Sequence, residues 1–502
     1  VGVFALSTQN TTGGGNIYNT AVGYGAGNLI TTGVQNTLIG ALAGDALTEA
    51  NFNVAIGAQA LSTDTLGSRS VAIGQHALQV QNFTTATDSY NVAVGYDAGV
   101  AVTTGIQNTL IGGLSGDAIT TGNENVAVGY NALSTNTTGT GNVAIGKDAL
   151  ADNLTGVNNV AVGDSAAEAT TGSNNTAIGD KALVTNILGS HTVAVGKGAL
   201  GTQNYASSTN GYNTAVGSAA GAALETGIQN TFVGGLAGDA TDDGAYNTAV
   251  GHIALSANCG NENTAVGYAA LQNTTSAENT AVGSGAGFSL TDVSGGVFIG
   301  QHAGLFATTA SNSTFVGHSA GQGITGTKLT GNNNVAVGTN AGLLLQGAAH
   351  SNTLIGAASG DAVTTGIQNT FVGQASGTAV TTGANNVAIG YVALASATTA
   401  ADNVIVGKQA GFSITDSQFN VGVGNNAIQA LTTGDRNVAV GHSAMYALTT
   451  ASDNIAIGNE TGVAITTGIH NVLIGSYAGD AITTGGYNVA TGSGALGTNI
   501  LG

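Results

Sequence analysis

Apolar and polar positions follow a short phrase that repeats to the end of this chain. One copy reads Asn53-Val54-Ala55-Ile56-Gly57, and others read Asn125-Val126-Ala127-Val128-Gly129 and Asn437-Val438-Ala439-Val440-Gly441. Counted at the glycine there are 29 copies, from Gly2 to Gly492, most of them 17 residues apart. A period this short, held this long, is the signature of a solenoid in which each repeat packs only on its neighbours.

Three residues before the glycine stands Val, Thr or Ile in all 28 copies that include the position, and one residue before it stands Val or Ile in every copy except Thr491. β-branched residues at period two predict a short strand. The residue between them is mostly Ala, replaced by larger groups at Leu38, Leu110, Phe232, Phe298, Phe315, Leu354 and Phe371. Both faces are therefore apolar and expected to be buried, one inside the coil and one against a second wall or a second chain. The glycine permits a turn, and the two positions after it carry charges and tyrosines such as Lys147, Asp148, Tyr24 and Tyr130, which marks an exposed corner. A small residue follows, Ala in 25 of 29 copies. A second short strand and a turn of the type Thr103-Thr104-Gly105 are expected to complete the circuit. Asn precedes the glycine by four in 24 of 28 copies, the exceptions being Ser70, Thr192, Gly296 and Ser313, and predicts a ladder of stacked amides. With coils ~4.8 Å apart, 28 steps would make a rod of roughly 135 Å.

Composition narrows the picture without adding chemistry. The 82 glycines and absence of proline would fit disorder, but the β-branched periodicity contradicts it. Only 7% of residues are charged, and the net charge of −19 argues against nucleic acid or anionic membranes as partners. Cys259 is alone, so no intrachain disulfide is possible, and no apolar run is long enough to span a bilayer. The chain opens and closes inside a repeat, so a window of a longer polypeptide is expected, because solenoids need capped ends.

Four spacings are 21 residues instead of 17, placing insertions near residues 8–18, 80–90, 203–212 and 322–333. After each comes a Gly-Asp-Ala turn containing Asp45, Asp117, Asp239 or Asp361; a fifth, with Asp480, lacks the insertion. From the second marker on, the interval is seven coils, roughly 34 Å of axis. Residues 1–502 thus read as one shaft with a super-repeat of about 120 residues.

No Walker-type phosphate loop, nucleophile elbow or calcium-binding nonapeptide is present, and no catalytic residue, cofactor or metal site is assigned. His302 and His318 fall at corners of adjacent coils and read as a chance surface pair. Asp45, Asp117, Asp239, Asp361 and Asp480 read as turn aspartates, with a sharper alternative in which three chains bring three carboxylates around a cation. Tyr18, Phe83, Tyr90, Tyr205 and Tyr212, in or beside the insertions, are candidates for stacking on sugars, or else pack locally.

The Asn-Val-Ala-Ile-Gly core resembles the head repeats of trimeric autotransporter adhesins, which are left-handed β-rolls wound as homotrimers. The longer phrase Asn175-Thr176-Ala177-Ile178-Gly179-Asp180-Lys181-Ala182-Leu183 is similar to repeats of phage tail fibres that end in an endosialidase-type chaperone domain. The resemblance covers nearly the whole chain but departs from the adhesin heads in coil length. It implies a homotrimeric, all-β, parallel β-solenoid shaft on a virion or outside a cell. Such a shaft would join other fibre or baseplate proteins at its ends and attach to a host receptor or surface polysaccharide. The alternatives are a bacterial surface adhesin, a monomeric ice-binding solenoid, or a polysaccharide-cleaving β-helix.

Overall fold

The computed structural model describes residues 2–10 and 16–498. The chain forms two compact units, Val1–Asn247 and Thr248–Gly502. Both are parallel β-solenoids, and no helix of the described residues is long and apolar enough to cross a membrane. Among the described residues each coil after the first contributes one three-residue strand: thirteen in the first unit, from Thr20–Val22 to Thr231–Val233, and fifteen in the second, from Thr248–Val250 to Val489–Thr491. Within a unit, neighbouring strands pair in parallel and in register, so that Val126, Ala127 and Val128 face Val143, Ala144 and Ile145. Identical positions of successive coils therefore form columns.

The pleat sends the middle residue of each strand inward and its β-branched flanks outward. Ala55, Ala127 and Phe232 are fully buried, whereas Ile111, Ile145 and Ile178 keep about two fifths of their surface exposed (39%, 39% and 40%). In one chain, then, the outer face is not covered.

The expected second strand does not form. The wall after the glycine is a run of turns in which the second and fourth residues have left-handed backbones, as at Gln59 (φ 56°) and Leu61 (φ 54°). Such conformations cost of order 1 kcal/mol or more for residues with a Cβ. Hydrogen bonds to both neighbouring coils offset this: Gln59 N–H donates to Ala41 O (2.9 Å), and Leu61 N–H donates to Ala77 O (3.0 Å). The turns thus satisfy the main chain as a strand would. Nothing in residues such as Lys181 or Leu183 announces a positive φ, which is why the pattern reads as a strand.

The repeat glycines stack on one another. At Gly129 φ is +142°, and a Cβ would lie 2.4 Å from the carbonyl oxygen of Gly146 in the next coil. Beside them runs the asparagine column. Asn125 is fully buried. Its Oδ1 accepts the N–H of Asn142 (3.0 Å), and its Nδ2 donates to Gly139 O (3.0 Å) and to Asn108 Oδ1 (3.1 Å). The ladder exists, but each amide is held chiefly by the main chain of the adjoining coil rather than by the next amide.

The interior is filled by exchange between two positions. Where the middle strand residue is large, the fourth residue after the glycine is Gly: Leu38 with Gly44, Leu110 with Gly116, Phe232 with Gly238, Phe371 with Gly377, Ile405 with Gly411 and Leu473 with Gly479. Where it is Ala, that fourth position is often a buried Leu, as at Leu61, Leu78, Leu133, Leu150 and Leu271. The reason is steric, since a Cβ on Gly238 would come within 2.6 Å of the Phe232 ring. This rule also accounts for the glycine of each Gly-Asp-Ala turn, which accompanies Leu38, Leu110, Phe232, Leu354 or Leu473.

The exchange predicts compensation. Phe232→Ala should lose about 3–5 kcal/mol to the cavity it leaves, and Gly238→Leu should lose about 1–3 kcal/mol to overpacking. The double variant recreates the Ala265–Leu271–Thr274 coil around the existing Thr241. It should recover most of the loss in a double-mutant cycle of denaturant melts; additive losses would contradict the packing rule.

Candidate functional site

Five residues before the repeat glycine lies an outward column with left-handed backbones, occupied by glycine at Gly141 and Gly295 but mostly by larger residues, among them Phe52, Arg69, Tyr90, His191, Tyr212, Arg436 and Tyr487. Parallel register stacks these side chains coil on coil. The Arg69 guanidinium carbon lies 4.8 Å from the Phe52 ring centre and 5.8 Å from that of Tyr90, and Arg69 Nε meets Asp88 Oδ2 at 3.1 Å. His191 lies against Tyr212 (5.3 Å between ring centres) and His470 against Tyr487 (4.8 Å). Arg436 grips Asp453 through Nε and Nη2 (2.7 and 3.0 Å), which holds the Asp453 carboxyl below its usual range. Both arginines of the chain stand in this column. Each follows an exposed phenylalanine, Phe52 or Phe419, by one coil.

Three of the five aromatics singled out from the sequence, Tyr18, Tyr90 and Tyr212, belong to this column and are exposed. Phe83 and Tyr205 do not reach the surface, being 6% and 5% exposed. An insertion needs its own interior filling, and these two rings supply it. The Tyr205 hydroxyl donates to Gly227 O (3.0 Å) and accepts from Asn213 Nδ2 (3.0 Å) and from Gln203, while burial raises its pKa. A ring within an insertion looks the same in sequence whether it points in or out.

Under the insertions the asparagine ladder is interrupted. An asparagine Nδ2 normally donates to the carbonyl fourteen residues on, as Asn53 does to Gly67. The insertion before Asn91 displaces that acceptor, and Ser70 stands in place of the asparagine. Thr192 and Ser313 precede the next two insertions in the same way, a signal that the sequence carried unread. At the 80–90 insertion Gln81 bridges the gap: its Nε2 donates to Ser70 Oγ (2.8 Å) and Asp64 Oδ2 (2.7 Å), and its Oε1 accepts from Asn91 (2.8 Å). Asp64 also accepts the N–H groups of Gly67 (3.0 Å) and Phe83 (3.1 Å). Desolvation nonetheless raises its pKa. Above this network short parallel pairs form, Gly67–Ser68 with Thr87–Asp88 and Gly189–Ser190 with Thr209–Asn210. The 322–333 insertion forms no such strand pair among the described residues and is held by bridges from Leu329 to Ala307 and Gly347 and by main-chain hydrogen bonds such as Thr330 N–H to Gly347 O (2.8 Å). Residues 11–15 of the 8–18 insertion lie outside the described residues.

The turn aspartates Asp45, Asp117, Asp239, Asp361 and Asp480 are half-buried, and no two of them lie in the same or adjoining coils. Desolvation raises the pKa of Asp45 and Asp117. One oxygen of Asp45, Asp117 and Asp480 has no hydrogen-bond partner, while Asp361 accepts from Thr378. Among the described residues no group of three or more His, Cys, Asp or Glu is placed to hold a metal ion. His302 and His318 do meet, 6.4 Å between ring centres. No protein-family model matches this chain, and no curated protein matches it.

The buried Asp64 gives a pH prediction. Its folded pKa is raised, so its contribution to stability is fully present below the ordinary carboxylate pKa and is lost as pH rises through the folded value. The wild type should therefore gain stability over Asp64→Asn as pH falls from neutral into the acid range, read as the difference in Tm. A difference independent of pH would refute a strained, buried carboxylate.

Proposed function

We propose that this chain is the shaft of a homotrimeric attachment fibre, displayed on a virion or cell surface and joined at its ends to other fibre or baseplate proteins. The observation that carries the reading is the outer strand face. Each coil sets a β-branched residue on either side of its buried strand centre, and register aligns them into apolar columns such as Ile111, Ile145 and Ile178. Monomeric proteins rarely expose apolar surface as a long continuous strip. A repeating strip is self-complementary, so further copies of the same chain are its natural cover, and a closed ring of them avoids open-ended growth.

The rest of the surface supports a scaffold. Its polar columns are satisfied along the coil direction: Thr364 Oγ1 donates to Thr381 O (3.1 Å), and Thr381 Oγ1 donates to Thr398 O (3.0 Å). Threonine hydroxyls so engaged stiffen the coil edge instead of presenting free donors. Four of the seven cations are held by acids of the same or neighbouring coils, Arg69 by Asp88, Lys147 by Asp148, Lys197 by Asp180 and Arg436 by Asp453, and the rest are scattered along the chain. That leaves no basic patch for nucleic acid. The resemblance to fibre and adhesin repeats points the same way.

Mass measurement in native buffer tests the proposal. The wild type should run as a trimer, and Ile145→Lys combined with Ile178→Lys should shift it towards monomer while its far-UV spectrum is kept. A wild type that is monomeric at micromolar concentration would remove the shaft reading.

A further inference from the structure

One corner of the second unit departs from the uniform surface. Over three consecutive coils, Tyr268, Ser284, Gly285, Phe288, His302 and Phe306 enclose a groove of about 320 Å³. All three coils supply aromatic rings to it, Tyr268 from the first, Phe288 from the second, and His302 and Phe306 from the third. Gly285 opens it, because the same position carries His76, Asp97, Asn131 or Lys181 in other coils and so a side chain that covers this corner. A Cβ there would already sit 3.1 Å from the His302 ring and 3.2 Å from Leu305. The rim is aromatic as well: His252 stacks on Tyr268 with rings 8° from parallel, and His318 adjoins His302. The 322–333 insertion borders the groove, since Phe306 N–H donates to Gln322 O (2.8 Å) and Leu329 N–H donates to Phe306 O (3.2 Å).

We infer that this groove is a binding site for a neutral saccharide unit. The volume suits a small ligand, and the lining follows the pattern of ligand sites: apolar and aromatic walls with a few polar groups that fix orientation. A pyranose ring has one face of C–H groups to lie on an aromatic ring and an edge of hydroxyls. Tyr268 and the two phenylalanines offer the rings. Ser284 Oγ, the His302 imidazole and the Tyr268 hydroxyl offer donors and acceptors. Neutrality follows from the charges. None of the groove's residues is an Asp, Glu, Lys or Arg, so a charged sugar would be desolvated without a partner. The chain's net charge of −19 adds a repulsion against acidic glycans. The groove is lined only by residues after the repeat glycines, and no residue of the outer strand face contributes to it.

This assignment names the ligand class of the attachment reading and rests on it for its biological sense. The test uses the full chain on an immobilised panel of glucose-, galactose-, mannose- and N-acetylglucosamine-based oligosaccharides beside sialylated and uronic-acid ones. The wild type should bind one or more neutral members and none of the acidic ones. Ser284→Tyr fills the groove with a residue that the same corner position already accommodates at Tyr24, Tyr96 and Tyr130. It should weaken binding about tenfold or more, as should Tyr268→Ala, while Tyr391→Ala, at an exposed corner that does not line the groove, should leave it unchanged. No binding to any neutral member, a preference for acidic ones, or equal binding by Ser284→Tyr would each overturn the site. The native mass of the same preparation judges the shaft separately: a trimer that binds no neutral glycan removes the site alone, and a monomer that binds one keeps the site and removes the shaft.

Discussion

The structure depends on how closely one coil can lie on the next at the repeat glycine. There the backbones approach until no Cβ fits: at Gly57 and Gly441, as at Gly129, an added carbon would stand within 2.2–2.4 Å of the following glycine's carbonyl oxygen. The conformation itself, with φ near +140°, is one that side chains resist. This close approach brings the asparagine column into reach of the neighbouring main chain, so that a fully buried amide such as Asn386 finds acceptors and a donor in adjacent coils. A buried polar row of this kind would be costly if any member lost its partners. Intact, it fixes the register of the coils that carry it.

Once register is fixed, each position becomes a column, and selection acts on columns. Inside, a large strand centre is matched by glycine at the fourth residue after the repeat glycine, so that the two positions share volume. Outside, the column five residues before the glycine stacks like on like or charge on countercharge, as Arg69 does between Phe52 and Tyr90. Insertions are tolerated because a hydrogen-bonded network beneath them makes good the missing asparagine, through Ser70 and Gln81 at one and through Gln203 and Tyr205 at the next. Corners thereby become free to vary, and the one around Gly285 has varied into a groove.

The repeat made the solenoid, its strand and its buried asparagines legible, because their spacing and β-branching have few other physical explanations. The second wall was not legible. Its left-handed turns carry ordinary residues such as Gln59 and Leu61, and only inter-coil hydrogen bonds make them favourable. For the candidate sites the sequence placed Tyr18, Tyr90 and Tyr212 on the surface but could not separate them from the buried Phe83 and Tyr205. It had marked the network under the insertions through Ser70, Thr192 and Ser313, whose common position before an insertion gains meaning only with the asparagine's acceptor known. The groove escaped because its residues are spread over three coils and become neighbours only through register.

Gly129→Ala tests the close approach of coils most directly. The substitution adds one methyl group at a position with no partner surface outside the stack, so a change can come only from the spacing and conformation of the backbone. The account predicts a loss of several kcal/mol in denaturant melts. It also predicts faster hydrogen exchange at the main-chain amides of Asn125 and Asn142, which flank the substitution in the ladder. A variant that melts with the wild type and keeps those amides protected would contradict it.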